Sequence, residues 1–311
     1  MMKKTIAAAL IALGATPAFA AEPESCATVR FSDVGWTDIT ATTAATKVVL
    51  EALGYEVDVK VLSVPVTYTS LANSDIDIFL GNWMPTMEGD IAPYREAGTV
   101  DTVGVNLEGA KYTLAVSQKL YDAGLTDFAD IAKFKDDLDG KIYGIEPGND
   151  GNRLILDMIE KDMFGLGGFE LVESSEQGML AAAARAERRD EAVVFLGWEP
   201  HPMNANLKMS YLAGGDDVFG PDFGGATVFT NTRAGYVEEC SNVGALLGNL
   251  KFTLAMENEI MGAILDGGEE PDAAASAWLK ANPAILDGWL AGVSTRDGGD
   301  GAAAVKGALG L

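Results

Sequence analysis

Three tryptophans, Trp36, Trp83 and Trp198, each follow a short apolar run and stand beside a turn rich in Gly, Pro, Asn or Asp. The stretches read VRFSDVGWTD, IDIFLGNWMP and AVVFLGWEPH. Each apolar run has the character of a buried β-strand, and strand tips are where an α/β protein presents residues to a ligand. An indole at such a tip is poorly placed as core filler. Three of them in equivalent settings suggest an aromatic cage, which holds a cation lacking acidic hydrogens, such as a quaternary ammonium.

The polar residues near these indoles each admit two readings. Asp38 follows Trp36 by two and starts a helix near Ile39, so it is either an ordinary helix cap or a carboxylate that also faces the ligand. Tyr112 opens the strand-like KYTLAV and either packs against a helix or joins the cage. In EPGNDGNR, from Glu146, Asn149 is either part of a simple turn or a hydrogen-bonding group, and the helix start behind it could bind an anion. Trp278 and Trp289 lie in helical patterns and are assigned to packing.

Enzyme chemistry finds little support. The chain has one histidine, His201, set between prolines, and no GxSxG, HExxH, P-loop or dinucleotide fingerprint. No pair of carboxylates is marked out for catalysis; DIDIF, from Asp75, reads as a sheet edge and DDLDG, from Asp136, as a solvated turn. A metal would find only oxygen ligands, and no cofactor is expected.

The elements that position these residues alternate. Strand Ala27–Phe31, helix Ile39–Leu53 ended by Gly54, then strands Glu56–Ser63 and Ile76–Leu80 imply a mostly parallel sheet with helices on both faces. A second series follows: strands Tyr112–Val116 and Lys141–Ile145, helix Arg153–Met163, strand Phe169–Val172, helix Gln177–Arg188 and strand Ala192–Leu196. Strand-like Leu207–Leu212 and Ala226–Thr230 and several helical stretches complete the chain, with a Gly/Ala-rich end from Gly298. This order fits an α/β protein of two lobes: lobe I from 21–108 plus 207–311, lobe II from the inserted 109–206. Two crossings would form a hinge with a ligand cleft between the lobes.

Residues 1–20 read as an export signal, with Lys3 and Lys4, an apolar stretch too short to span a bilayer, and Ala18-Phe19-Ala20 as cleavage site. A bacterial periplasm is the expected location, without membrane insertion. The formal net charge of −24 argues against nucleic acid and anionic membranes as partners and gives a weak attraction for cations. In an oxidising compartment the two cysteines, Cys26 and Cys240, would pair, closing a loop worth about 5 kcal/mol in chain entropy; the alternative is two buried thiols.

Together these segments resemble the substrate-binding proteins of quaternary-amine ABC importers, the glycine betaine/choline family. The resemblance rests on NWMPT at Asn82–Thr86 and GWEPH at Gly197–His201, and it is nearest to the choline-binding branch. It implies a periplasmic binding protein of the Venus-flytrap type, with Trp36, Trp83, Tyr112 and Trp198 boxing a trimethylammonium group. It also implies Asp38 and Asn149 as polar partners, the Cys26–Cys240 bridge, and delivery of ligand to a membrane permease. Pro202 stands where many betaine binders carry a further Trp. A ligand-facing Asp38 would accept a hydroxyl and repel a carboxylate, so choline is expected over glycine betaine, and acetylcholine, which lacks the hydroxyl, should bind more weakly.

Overall fold

The computed structural model describes residues 22–311; the export signal expected over 1–20 lies outside the described residues. One nine-stranded sheet runs through the molecule. Its first half is the expected βαβαβ unit. Strands β1 (Thr28–Asp33), β2 (Glu56–Val61) and β3 (Ile78–Met84) lie parallel in the order β2-β1-β3, linked by helices Thr37–Ala52 and Val64–Ala72. Phe31 and Ser32, neighbours that point to opposite faces of β1, are both fully buried, as a central strand covered on both faces requires. The helix Val64–Ala72 is absent from the sequence reading because Pro65 interrupts its pattern, yet Pro is tolerated in a first helical turn. Pro93 likewise conceals the helix Glu88–Glu96.

Helix Thr37–Ala52 carries several β-branched threonines, which favour strands by propensity. Burial overrides that preference, and the Thr42 and Thr46 hydroxyls bond back to the carbonyls of Asp38 and Thr42 at 3.1 and 2.8 Å. Gly54, at φ +94°, terminates it as expected.

Strand β4 (Val100–Ser117) is longer than the expected Tyr112–Val116. Its N-terminal part pairs antiparallel with a late strand that also pairs with β3. Its C-terminal part opens the second half of the sheet, with β5 (Lys141–Tyr143), β6 (Glu170–Val172) and β7 (Val194–Glu199) in the order β4-β7-β5-β6. The short strand β8 (Met209–Tyr211) hydrogen-bonds to Ala115–Ser117, beyond the point where the sequence reading ended the inserted block. The late strand between β3 and β4 is β9 (Gly225–Arg233).

Asp77, at the entry to β3, is gripped by Arg30 Nε (2.9 Å), Arg30 Nη2 (2.6 Å) and Arg233 Nε (2.8 Å). These bonds hold its carboxyl below its ordinary range despite burial. That accounts for one acid of the DIDIF stretch as a tie between strands. The two cysteines are joined, Cα to Cα 5.6 Å, linking the segment before β1 to the start of helix Ser241–Asn249. Trp289 is buried and Trp278 packs half-buried against the core, as assigned. The Gly/Ala-rich end forms the helix Gly301–Leu309.

Candidate functional site

Trp36, Asp38, Trp83, Tyr112 and Trp198 converge on a single cavity of about 270 Å³, with Ile145 and Asp150 completing its wall. Every wall residue is at most 6 % exposed.

The local elements explain the convergence. Trp36 is the N-cap residue of helix Thr37–Ala52, in extended backbone, so its ring leaves the chain ahead of the helix. Its indole N–H donates to Glu146 Oε1 at 2.7 Å, reaching the second half of the molecule. Trp83 and Trp198 do not sit in turns beyond their strands. They lie inside β3 and β7, because ladder pairing continues to Val228 and Tyr112 respectively. Both strands end at X-Pro bonds in the cis form, Met84–Pro85 and Glu199–Pro200.

Tyr112 is opposite Trp198 across the β4–β7 ladder, with ring centroids 6.2 Å apart and planes at 80°. Trp83 meets Tyr112 at 6.1 Å and 62°. Edge-to-face contacts of this kind are among the arrangements that aromatic pairs favour. Gly151 makes room for the tyrosine, since a Cβ there would lie 2.0 Å from Tyr112 Oη.

Asp38 is not the helix cap. It is the second residue of the helix, and no side-chain cap bond is made at that end. One oxygen, Oδ2, accepts from the Trp83 indole at 3.2 Å; the other, Oδ1, is buried without a hydrogen-bond partner. Burial, reinforced by the nearby Glu176 charge, pushes its carboxyl up to about 8. An orphaned carboxylate oxygen inside an aromatic box calls for a cation or a hydroxyl.

Asn149 stands behind the wall. Its Oδ1 accepts from Asn152 N (2.8 Å), capping helix Asp150–Glu160, and from Tyr112 Oη (3.4 Å); its Nδ2 donates to the Glu146 carbonyl. Asp150, the next residue, went unnoticed in the sequence. The signal was present as an acid at the first helical position after an Asn cap, a placement the helix dipole favours. Burial raises its carboxyl to about 6 and that of Glu146 to about 7.

Glu176 was missed as well. It opens helix Glu176–Arg189 and accepts from Thr37 N (2.8 Å) and Thr37 Oγ1 (2.6 Å), gripping the helix start that carries Trp36 and Asp38. His201 is buried beside it. Its Nδ1 accepts from Met203 N at 2.9 Å, so Nε2 carries the proton and donates to Glu176 Oε1 at 3.1 Å. The histidine is thus an orienting group, with no nucleophile beside it.

An ABC-transporter choline-binding protein in complex with choline is 72% identical, covers 93% of this chain and 100% of its own, and superposes with a TM-score of 0.92. The choline-binding protein in an unliganded semi-closed conformation, also 72% identical over the same shares, gives 0.86. An uncharacterized protein of Chromohalobacter salexigens is 56% identical over 137 residues, 44% of this chain and 86% of its own length. Among the described residues no helix is long and apolar enough to cross a membrane. With residues 27–281 matching its profile, this two-lobed chain belongs to the family of substrate-binding domains of ABC-type glycine betaine transport systems.

Proposed function

We propose that the protein is the choline receptor of an ABC importer, acting outside the cytoplasmic membrane and handing its ligand to a membrane permease. The observation that carries this reading is Asp38 Oδ1, a buried carboxylate oxygen with no partner inside a box of four aromatic rings. Trp36, Trp83, Tyr112 and Trp198 hold the trimethylammonium group, at about 2 kcal/mol for each desolvated cation–π contact. Micromolar binding needs only about 8 kcal/mol in all, so the rings suffice in scale even after ordering costs. Asp38 offsets the positive charge and accepts the choline hydroxyl, while Asn149, behind the wall, braces the Tyr112 hydroxyl. The work done is capture and release, with no bond made or broken.

The two lobes divide where the shared strands cross. The outward crossing lies in β4 near Glu108–Lys111, where pairing passes from β9 to β7. The return lies at 220–225, where Gly220, Asp222, Phe223 and Gly224 all have left-handed backbone. β8 then belongs with the inserted lobe. Trp36, Asp38 and Trp83 come from one lobe and Asn149 and Trp198 from the other, so neither lobe alone has a whole cage. Ligand favours the closed form through that difference in contacts.

Titration calorimetry of ligand-stripped protein with choline and then glycine betaine tests the reading. Tight choline binding with betaine about tenfold weaker supports it. Betaine equal or better makes the protein an osmolyte receptor, and no heat with either removes the cage from consideration.

A further inference from the structure

Arg153 crosses the cleft without entering the cage. It lies on helix Asp150–Glu160 of the inserted lobe, and its Nη2 donates to Asp90 Oδ2 at 2.6 Å and to the Thr86 carbonyl at 3.1 Å, both in the terminal lobe. None of the three residues lines the cavity. The bonds from Trp36 to Glu146 and from Thr37 to Glu176 also join the lobes, but they start in the cage or beside it. The terminal lobe has a seat for the guanidinium. Gly89, the second residue of helix Glu88–Glu96, leaves that space open, because a Cβ there would lie 3.2 Å from Arg153 Nη1.

The strength of the pair limits what it can do. Burial raises the Asp90 carboxyl by more than the Arg153 charge lowers it. The Arg153 side chain is also 39 % exposed, and a pair so open to solvent shifts an equilibrium by only about fivefold. A contact of that size biases opening and closing without locking either.

We propose that Arg153 is a positioning residue for ligand capture: with Asp90 and the Thr86 carbonyl it forms a latch, made only when the lobes meet, that prolongs the closed state and slows choline release. The assignment rests on the two-lobed choline-receptor reading and deepens it. Choline gains affinity from a bond it never touches, because whatever favours the closed arrangement favours the ligand that needs it.

The test measures choline affinity by calorimetry and choline dissociation by stopped-flow tryptophan fluorescence. It compares wild type, Asp90→Asn, Arg153→Gln and the double variant. Each single variant should bind choline about fivefold more weakly, through faster dissociation with association little changed. The double variant should be no worse than either single one, since the same bond is lost in all three. Gly89→Leu, which fills the guanidinium seat without changing any charge, should bring a similar loss. Its ligand-free melting temperature should be no lower than that of wild type, Leu being a better helix residue than Gly. Losses that multiply to about 25-fold in the double variant overturn the latch and leave the receptor reading standing. So do folded single variants, or a Gly89→Leu protein, that bind and release choline as wild type does. Wild-type protein that binds neither choline nor glycine betaine overturns the latch and the receptor reading together.

Discussion

Asp38 has one oxygen committed to the Trp83 indole and the other left inside the cage. Between about pH 4 and 8 its carboxyl holds a proton that the unfolded chain would release. Over that window the folded protein therefore binds more protons than the unfolded one, and its stability falls as pH rises. Glu146, at about 7, and Asp150, at about 6, act in the same direction. The unliganded protein should accordingly melt at a higher temperature at pH 5.5 than at 8.5. Choline affinity should run the opposite way, strengthening toward pH 8, because a cation binds the ionised carboxylates; calorimetry at both pH values checks this. Trp198→Ala removes one ring at about 2 kcal/mol, so choline binding should weaken by tenfold or more in a protein with an unchanged circular dichroism spectrum. The rings were readable in the sequence because indoles beside strand ends are rare and conspicuous. Asp150 was not, because an acid at a helix start looks the same whether it faces solvent or a cavity.

The helix start at Thr37 is fixed from outside itself. Glu176 holds both its backbone N–H and its hydroxyl, and His201 orients Glu176. Glu176→Ala should therefore weaken choline binding about tenfold although Glu176 is not part of the cavity wall. Glu176→Gln, which keeps one acceptor oxygen, should recover much of that loss; equal losses in both would mean that the carboxylate charge matters and the grip does not. Element order was legible from the alternation of apolar runs with amphipathic stretches. Extents were less so, because β3 and β7 continue past Leu80 and Leu196 through small and polar residues that only ladder pairing turns into strand. The first part of β4 escaped for a similar reason, its polar residues and glycines hiding a pairing made with a strand more than a hundred residues later.

At the scale of the molecule, the Cys26–Cys240 bond closes a loop with a sequence separation of 214. A Cys26→Ser/Cys240→Ser variant forgoes about 5 kcal/mol of chain-entropy stabilisation, so it should melt roughly 10 °C or more below wild type. Its choline affinity at 25 °C should be unchanged, since neither cysteine lies in the cavity wall. Choline at about a hundred times its dissociation constant should raise the stability of either form by roughly 2.7 kcal/mol, read as an upward shift in melting temperature.

Every side chain of that cavity wall is almost wholly buried. An occupant there is held by groups fixed in packing, so parting of the walls governs how fast it leaves. Exchange is then a first-order event: unlabelled choline added in large excess displaces radiolabelled choline at a rate independent of how much is added.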